Sequence, residues 1–112
     1  ESLRRIIIDT AKQNGIGITE TGTYAATQGP RFETAAEIDR MERDGATIVG
    51  MTGMPEAILA RELDLDYAMI AVVSNAAAGR SGAEISVEEI MSKLQMGMDQ
   101  TRALIELVIP QL

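Results

Sequence analysis

Residues 46–55 read Ala46-Thr47-Ile48-Val49-Gly50-Met51-Thr52-Gly53-Met54-Pro55, a short apolar run that breaks into a turn ending on proline. The apolar run predicts a buried strand over 46–51. The turn then leads into a helix, since proline lacks an N–H that the first helical position does not need and its fixed φ already suits it. A strand that turns straight into a helix is the repeating unit of α/β layers.

Working outward, Thr34-Ala35-Ala36-Glu37 has the spacing of a capping box. The Thr hydroxyl accepts from the third helical N–H while the Glu reaches back to the cap. A helix over 35–44 follows, closed by Gly45. Farther upstream, Leu3, Ile6, Ile7, Thr10 and Ala11 form a helical stripe over 2–13 that Asn14-Gly15 stops. This helix starts with the first residues, as though an element preceded it. Between the two helices, β-branched and aromatic positions among glycines predict a strand or hairpin arm over 21–27, which Gly29-Pro30 ends.

Downstream, the helix entered at Pro55 ends near Glu62 or Leu63. Residues 67–73 are the most hydrophobic strand candidate and do not alternate, which predicts burial on both faces. An Ala- and Gly-rich loop covers 75–82. Ser86-Val87-Glu88-Glu89 is a second capping box, opening a long helix to about Ile109 that stops at Pro110. The order α-β-α-β-α-β-α predicts an α/β layer architecture in one domain over 1–112, with no repeat, low-complexity tract or linker.

Composition narrows the chemistry. The 112 residues carry a net charge of −7, and only 3% are aromatic. With no Cys there is no disulfide framework, zinc ribbon or cysteine nucleophile in this sequence; with no His there is no Ser-His-Asp triad or His-based metal site. The acidic balance argues against a nucleic-acid surface. No apolar run approaches the roughly 20 residues of a membrane span, and the charged start lacks a signal-peptide layout. A cytoplasmic protein without membrane or nucleic-acid partners is the expectation.

In open α/β sheets, ligands bind beyond the carboxyl ends of strands. Three loops leave predicted strands there: 28–34, 51–55 and 74–82. In the second, backbone amides and the Thr52 hydroxyl suit an anion such as phosphate; alternatively Thr52 merely caps the helix and Gly53 makes the turn. There is no Walker-type glycine-lysine loop, so nucleoside triphosphate binding is not supported. In the first loop, Phe32 can stack on a flat ring while Glu33 accepts from ring N–H groups. Alternatively, Phe32 is core and Glu33 complements the helix dipole. Arg31 can hold an anion or form an ordinary salt bridge. In the third, Asn75 offers an acceptor and two donors to a planar ligand, or closes the strand on its own backbone.

Taken together, Gly22-Thr23-Tyr24, Gly29-Pro30-Arg31-Phe32-Glu33-Thr34-Ala35-Ala36-Glu37, Val49-Gly50-Met51-Thr52-Gly53-Met54-Pro55-Glu56 and Val73-Ser74-Asn75 resemble the trimeric purine nucleoside phosphorylase and methylthioadenosine phosphorylase family. The resemblance covers the C-terminal portion of a family chain. It implies a layered α/β fold with a mixed or parallel sheet flanked by helices, a homotrimer, inorganic phosphate as co-substrate, and no cofactor or metal. The family's glycine-rich phosphate loop and its further Arg and His phosphate ligands lie in the N-terminal part, outside this sequence. The segment alone is therefore expected to be inactive, or to be a non-catalytic fragment or interface module.

By the same resemblance, Phe32 packs on the purine, Glu33 hydrogen-bonds its pyrimidine edge, and Met51 lies under the ribose. Thr52 holds phosphate, Tyr24 lies near the sugar, and Asn75 meets N7 and the 6-substituent as the catalytic group. Glu33 and Asn75 look like the branch acting on 6-oxopurines. The sugar end points elsewhere: Val87, Ile90 and Met91 share one helical face, which in the methylthio branch lines an apolar 5′ pocket, and otherwise reads as core. A 6-oxopurine end with an apolar 5′ pocket describes S-methyl-5′-thioinosine, cleaved by phosphate to hypoxanthine and 5-methylthioribose 1-phosphate. Inosine and guanosine, or methylthioadenosine, are the alternative substrates.

Overall fold

A computed structural model describes residues 2–82 and 86–112. Helix α1 (Ser2–Gln13) leads to strand β1 (Tyr24–Ala26), helix α2 (Ala35–Arg43), strand β2 (Ile48–Gly50), helix α3 (Glu56–Glu62) and helix α4 (Val87–Val108), with a final 3-10 turn over Ile109–Gln111. The two strands pair in parallel, Tyr24 opposite Ile48 and Ala26 opposite Gly50. The stretch expected to form a strand or hairpin arm is thus a strand whose neighbour arrives by a crossover through α2. A parallel neighbour needs such a connection, whereas a tight turn serves only antiparallel strands.

Each helix boundary has a local cause. At α2 the capping box is complete: Thr34 Oγ1 accepts from Glu37 N and the Glu37 carboxylate accepts from Thr34 N. Gly45 follows its C-cap at φ +95°, a conformation that favours glycine. At α4, Ser86 Oγ accepts from Glu89 N. Pro110 does not stop the chain's winding; it sits in the first turn of the terminal 3-10 segment, where its missing N–H has no bond to lose. Pro55, expected at the first helical position, stands instead at the N-cap of α3, one residue before the helix begins.

Helix α1 packs on α4, and their contact makes the core: Ala11, Leu104 and Val108, with Ile6, Ile7, Ile16 and Ile70 partly buried against them. Thr10 is the buried polar residue of this layer among the described residues, and Gln111 Nε2 donates to its hydroxyl at 2.9 Å, fastening the last turn to the first helix.

Residues 67–73 have no ladder partner among the described residues, and the expectation of burial on both faces fails. Ala68, Ile70 and Val72 are half-buried while Tyr67, Met69, Ala71 and Val73 are exposed. The period is that of extended backbone, in which successive side chains point to opposite sides. Ile70 lies on the α1/α4 core and Val72 approaches Gly97 of α4. This chain supplies a helix for one side of the segment, so the other apolar side stays open. No helix among the described residues is long and apolar enough to cross a membrane.

Candidate active site at the ends of the parallel strands

The chain leaves β1 into 28–34 and β2 into 51–55, and parallel pairing puts both exits at the same end of the sheet. The ladder continues one step beyond β1, with Thr27 N donating to Gly50 O at 2.8 Å. Gly29 has φ +67° and lies so close to the Met51 side chain that a Cβ on it would stand 2.8 Å from the sulfur. The first two loops therefore meet, and glycine is required at the contact.

Tyr24 and Thr52 are joined directly. The Tyr24 hydroxyl lies 3.2 Å from Thr52 Oγ1 and accepts from Thr52 N at 3.3 Å. Thr52 does not cap α3, whose N-cap is Pro55 without a side-chain bond. The alternative role for Thr52 is thereby removed, while Gly53 at φ +84° does make the turn. The Thr52 amide, read from sequence as open to an anion, is occupied by the Tyr24 oxygen.

Glu33 and Phe32 also depart from their plainer readings. Phe32 is 81% exposed, so it is not core. Glu33 is half-buried and accepts a hydrogen bond from Thr27 Oγ1 at 2.5 Å, a bond within the sheet end and not at the α2 cap. The residue that complements the α2 N-terminus is Glu37. Arg31 follows the salt-bridge reading: its Nη1 and Nη2 donate to Glu37 Oε2 and Oε1 at 2.9 and 2.8 Å, and Nη1 also donates to Phe32 O at 3.0 Å. The Arg31 fork and the Thr34 amide together hold the Glu37 carboxyl at about 2, from an ordinary 4.5, and Glu37 in turn raises Arg31.

The third loop reaches the same helix by another route. Gly79, at φ +76°, abuts Ala35 at the start of α2, and Arg80 pairs with Asp39 at 2.9 Å and with Glu42 on that helix. Within the loop, Ser74 Oγ donates to Asn75 Oδ1 at 2.7 Å and Asn75 Nδ2 donates to Ala76 O at 2.9 Å. Asn75 thus closes on its own backbone, with a second amide N–H remaining. Val87 and Met91 on α4 are exposed and Ile90 is half-buried, so this face is not the chain's core. An open cleft of about 340 Å³ lies beside the sheet end, with Thr27, Gly29, Arg31 and Glu33 on its wall. Phe32, Met51, Thr52 and Asn75 are not on that wall. No cluster of three acidic, His or Cys side chains able to hold a metal occurs among the described residues.

Thr27 escapes a reading by motif. Its sequence trace is a hydroxyl two positions before Gly29-Pro30 and six residues ahead of Glu33. That spacing becomes a contact only once 28–32 fold back over the strand end.

The chain is similar to known proteins over nearly its whole length. The chain is 51% identical over 109 residues to a probable S-methyl-5′-thioinosine phosphorylase of Pseudomonas syringae pv. tomato, covering 97% of this chain and 44% of the relative. It is 44% identical to the 6-oxopurine nucleoside phosphorylase of Pyrococcus furiosus, covering 96% and 41% respectively. A solved Schistosoma purine nucleoside phosphorylase in complex with hypoxanthine superposes with a TM-score of 0.87 at 26% identity, over 99% of this chain and 41% of that one. The chain therefore spans less than half the length of the relatives it matches. The sequence pattern of the phosphorylase superfamily runs through residues 1–110, from α1 across both strand exits to the final turn, and the chain belongs to that superfamily.

Proposed function

We propose that this chain forms the nucleoside-binding portion of a purine nucleoside phosphorylase whose substrate is S-methyl-5′-thioinosine and whose products are hypoxanthine and 5-methylthioribose 1-phosphate. The observation that carries the reading is the meeting of Tyr24–Thr52 and Thr27–Glu33 at one end of the parallel strands, with the Phe32 ring open in the adjoining turn. The names of the relatives in two branches of the family support it.

Phosphorolysis exchanges the N-glycosidic bond for a bond to phosphate through an oxocarbenium-like sugar. Thr52 holds phosphate by its hydroxyl, and by its amide once the Tyr24 oxygen yields that bond. Positioning the nucleophile beneath the anomeric carbon removes much of the entropic barrier. Met51 supports the ribose and Tyr24 lies beside it. Phe32 stacks on the base and Glu33 accepts from its ring N–H. The purine leaves electron-rich, so the second N–H of Asn75, aimed at N7, stabilises charge where it develops. Ser74 fixes the amide in that sense by donating to its oxygen. Val87, Ile90 and Met91 form the apolar wall for the 5′-methylthio group.

The second reading is an ordinary 6-oxopurine nucleoside phosphorylase, favoured by the 44% identity to the Pyrococcus enzyme. In a family-length protein containing this sequence, kcat/KM is compared for methylthioinosine, inosine and methylthioadenosine. The reading expects methylthioinosine to be preferred. Preference for inosine selects the second reading, and absence of phosphorolysis with all three overturns the enzyme assignment.

A further inference from the structure

We infer that Thr27 is a positioning residue for base recognition: its hydroxyl holds the Glu33 carboxylate in one orientation and leaves a single acceptor oxygen facing the purine. The inference rests on the proposed function, in which Glu33 reads the base.

Three hydrogen bonds lead to this assignment. Thr27 has one hydroxyl proton and two acceptors within reach, Glu33 Oε1 at 2.5 Å and Gly50 O at 3.4 Å. The Glu33 contact is shorter by 0.9 Å, so the hydroxyl proton belongs to Glu33, while the Gly50 carbonyl receives the Thr27 backbone N–H at 2.8 Å. A hydroxyl-to-oxygen bond of 2.5 Å is at the short end of the ordinary range, as expected when the acceptor is ionised. The same backbone bond locks Thr27 at the end of β1, so the hydroxyl is presented from the sheet and not from a loop. As a β-branched residue, Thr27 also has few rotamers in which to turn away.

A carboxylate only accepts, and with Oε1 occupied the free oxygen is Oε2. That oxygen suits the ring N–H of a 6-oxopurine. The corresponding nitrogen of a 6-aminopurine carries a lone pair, and two acceptors facing each other repel. Thr27 therefore sharpens discrimination as well as binding. Without the hydroxyl, the carboxylate turns about its last bond and both oxygens compete for the base.

The test is a double-mutant cycle in the family-length protein with methylthioinosine and methylthioadenosine as probes. T27V removes the hydroxyl at constant shape, T27S retains it, and E33A removes its partner. The expected result is a roughly tenfold loss of kcat/KM for methylthioinosine in T27V, a loss near the net worth of a hydrogen bond to a charged group. Methylthioadenosine should be little affected, T27S should stay close to the parent, and T27V should have no further effect in the E33A background. A generally structural role would lower both substrates and add to E33A, which overturns the inference. T27V equal to the parent while E33A is crippled also overturns it, and leaves the proposed function standing. E33A equal to the parent for methylthioinosine removes the base-reading role of Glu33 and the inference with it.

Discussion

Glu37 serves three donors with one carboxylate. It accepts both arms of Arg31 and the Thr34 amide, while its own amide is capped by the Thr34 hydroxyl. Because Arg31 also holds the Phe32 carbonyl, the turn that presents Phe32 and Glu33 is fixed from beneath by Glu37. The folded-state carboxyl is depressed to about 2 from 4.5. Its contribution to stability is therefore complete above pH 4.5 and is lost as pH falls through about 2. E37Q lacks that dependence. In a family-length protein containing this sequence, urea midpoints of the parent and E37Q should differ by a constant amount at neutral and mildly acid pH, and converge as pH is lowered toward 2. At this scale the residue types were legible in sequence, capping box included, because their partners lie within a few positions. The alternatives for Phe32 and Thr52 were not, because a buried and an exposed aromatic, or a capping and a non-capping threonine, have the same local sequence.

Helices and strands are mostly local products, and α1, α2, α3, α4 and β2 fall where apolar period and punctuation put them. The parallel sense of β1 and the half-open side of 67–73 depend on what arrives from elsewhere, which no window of sequence contains. Gly97 illustrates the same point. In the interior of α4 a glycine is less favourable than alanine by about 1 kcal/mol. A Cβ there would lie 2.3 Å from Val72 Cγ1, however, and Val72 is β-branched with little freedom to retreat. G97A should therefore destabilise by about 1–3 kcal/mol despite its better helix propensity. Adding V72A should recover much of that loss, as read by thermal or urea unfolding of the single and double variants of a family-length protein. A stabilised G97A would show that 67–73 does not lie against α4.

The molecule as a whole exposes 8365 Å², against about 6,000 Å² for a folded monomer of its mass. Its radius of gyration is 15.4 Å where about 13 Å is usual for this length. Much of the excess is apolar: Ile58, Leu59 and Leu63 about α3, Met69 and Val73 on the open side of the extended segment, Val87 and Met91 on α4. Exposed apolar area of this extent marks surface that is covered in the working protein. The chain by itself should bind a hydrophobic dye, unfold with little cooperativity and show no phosphorolysis. Co-expression with the remaining portion of a family-length protein should abolish dye binding and restore activity. An isolated chain that is active or binds no dye would contradict this.

The tie that holds the third loop differs in character from the contacts at the strand ends. The turn carrying Asn75 is drawn to α2 through Arg80, whose partners Asp39 and Glu42 stand in water. Attraction between such charges fades as ions gather, with a screening distance that shrinks from about 10 Å at ~0.1 M salt to about 3 Å at ~1 M. The strand-end contacts of Tyr24 and Thr52 are made by uncharged groups and have no such sensitivity. Ionic strength thus slackens the loop that carries Asn75 while leaving the Tyr24–Thr52 contact taut.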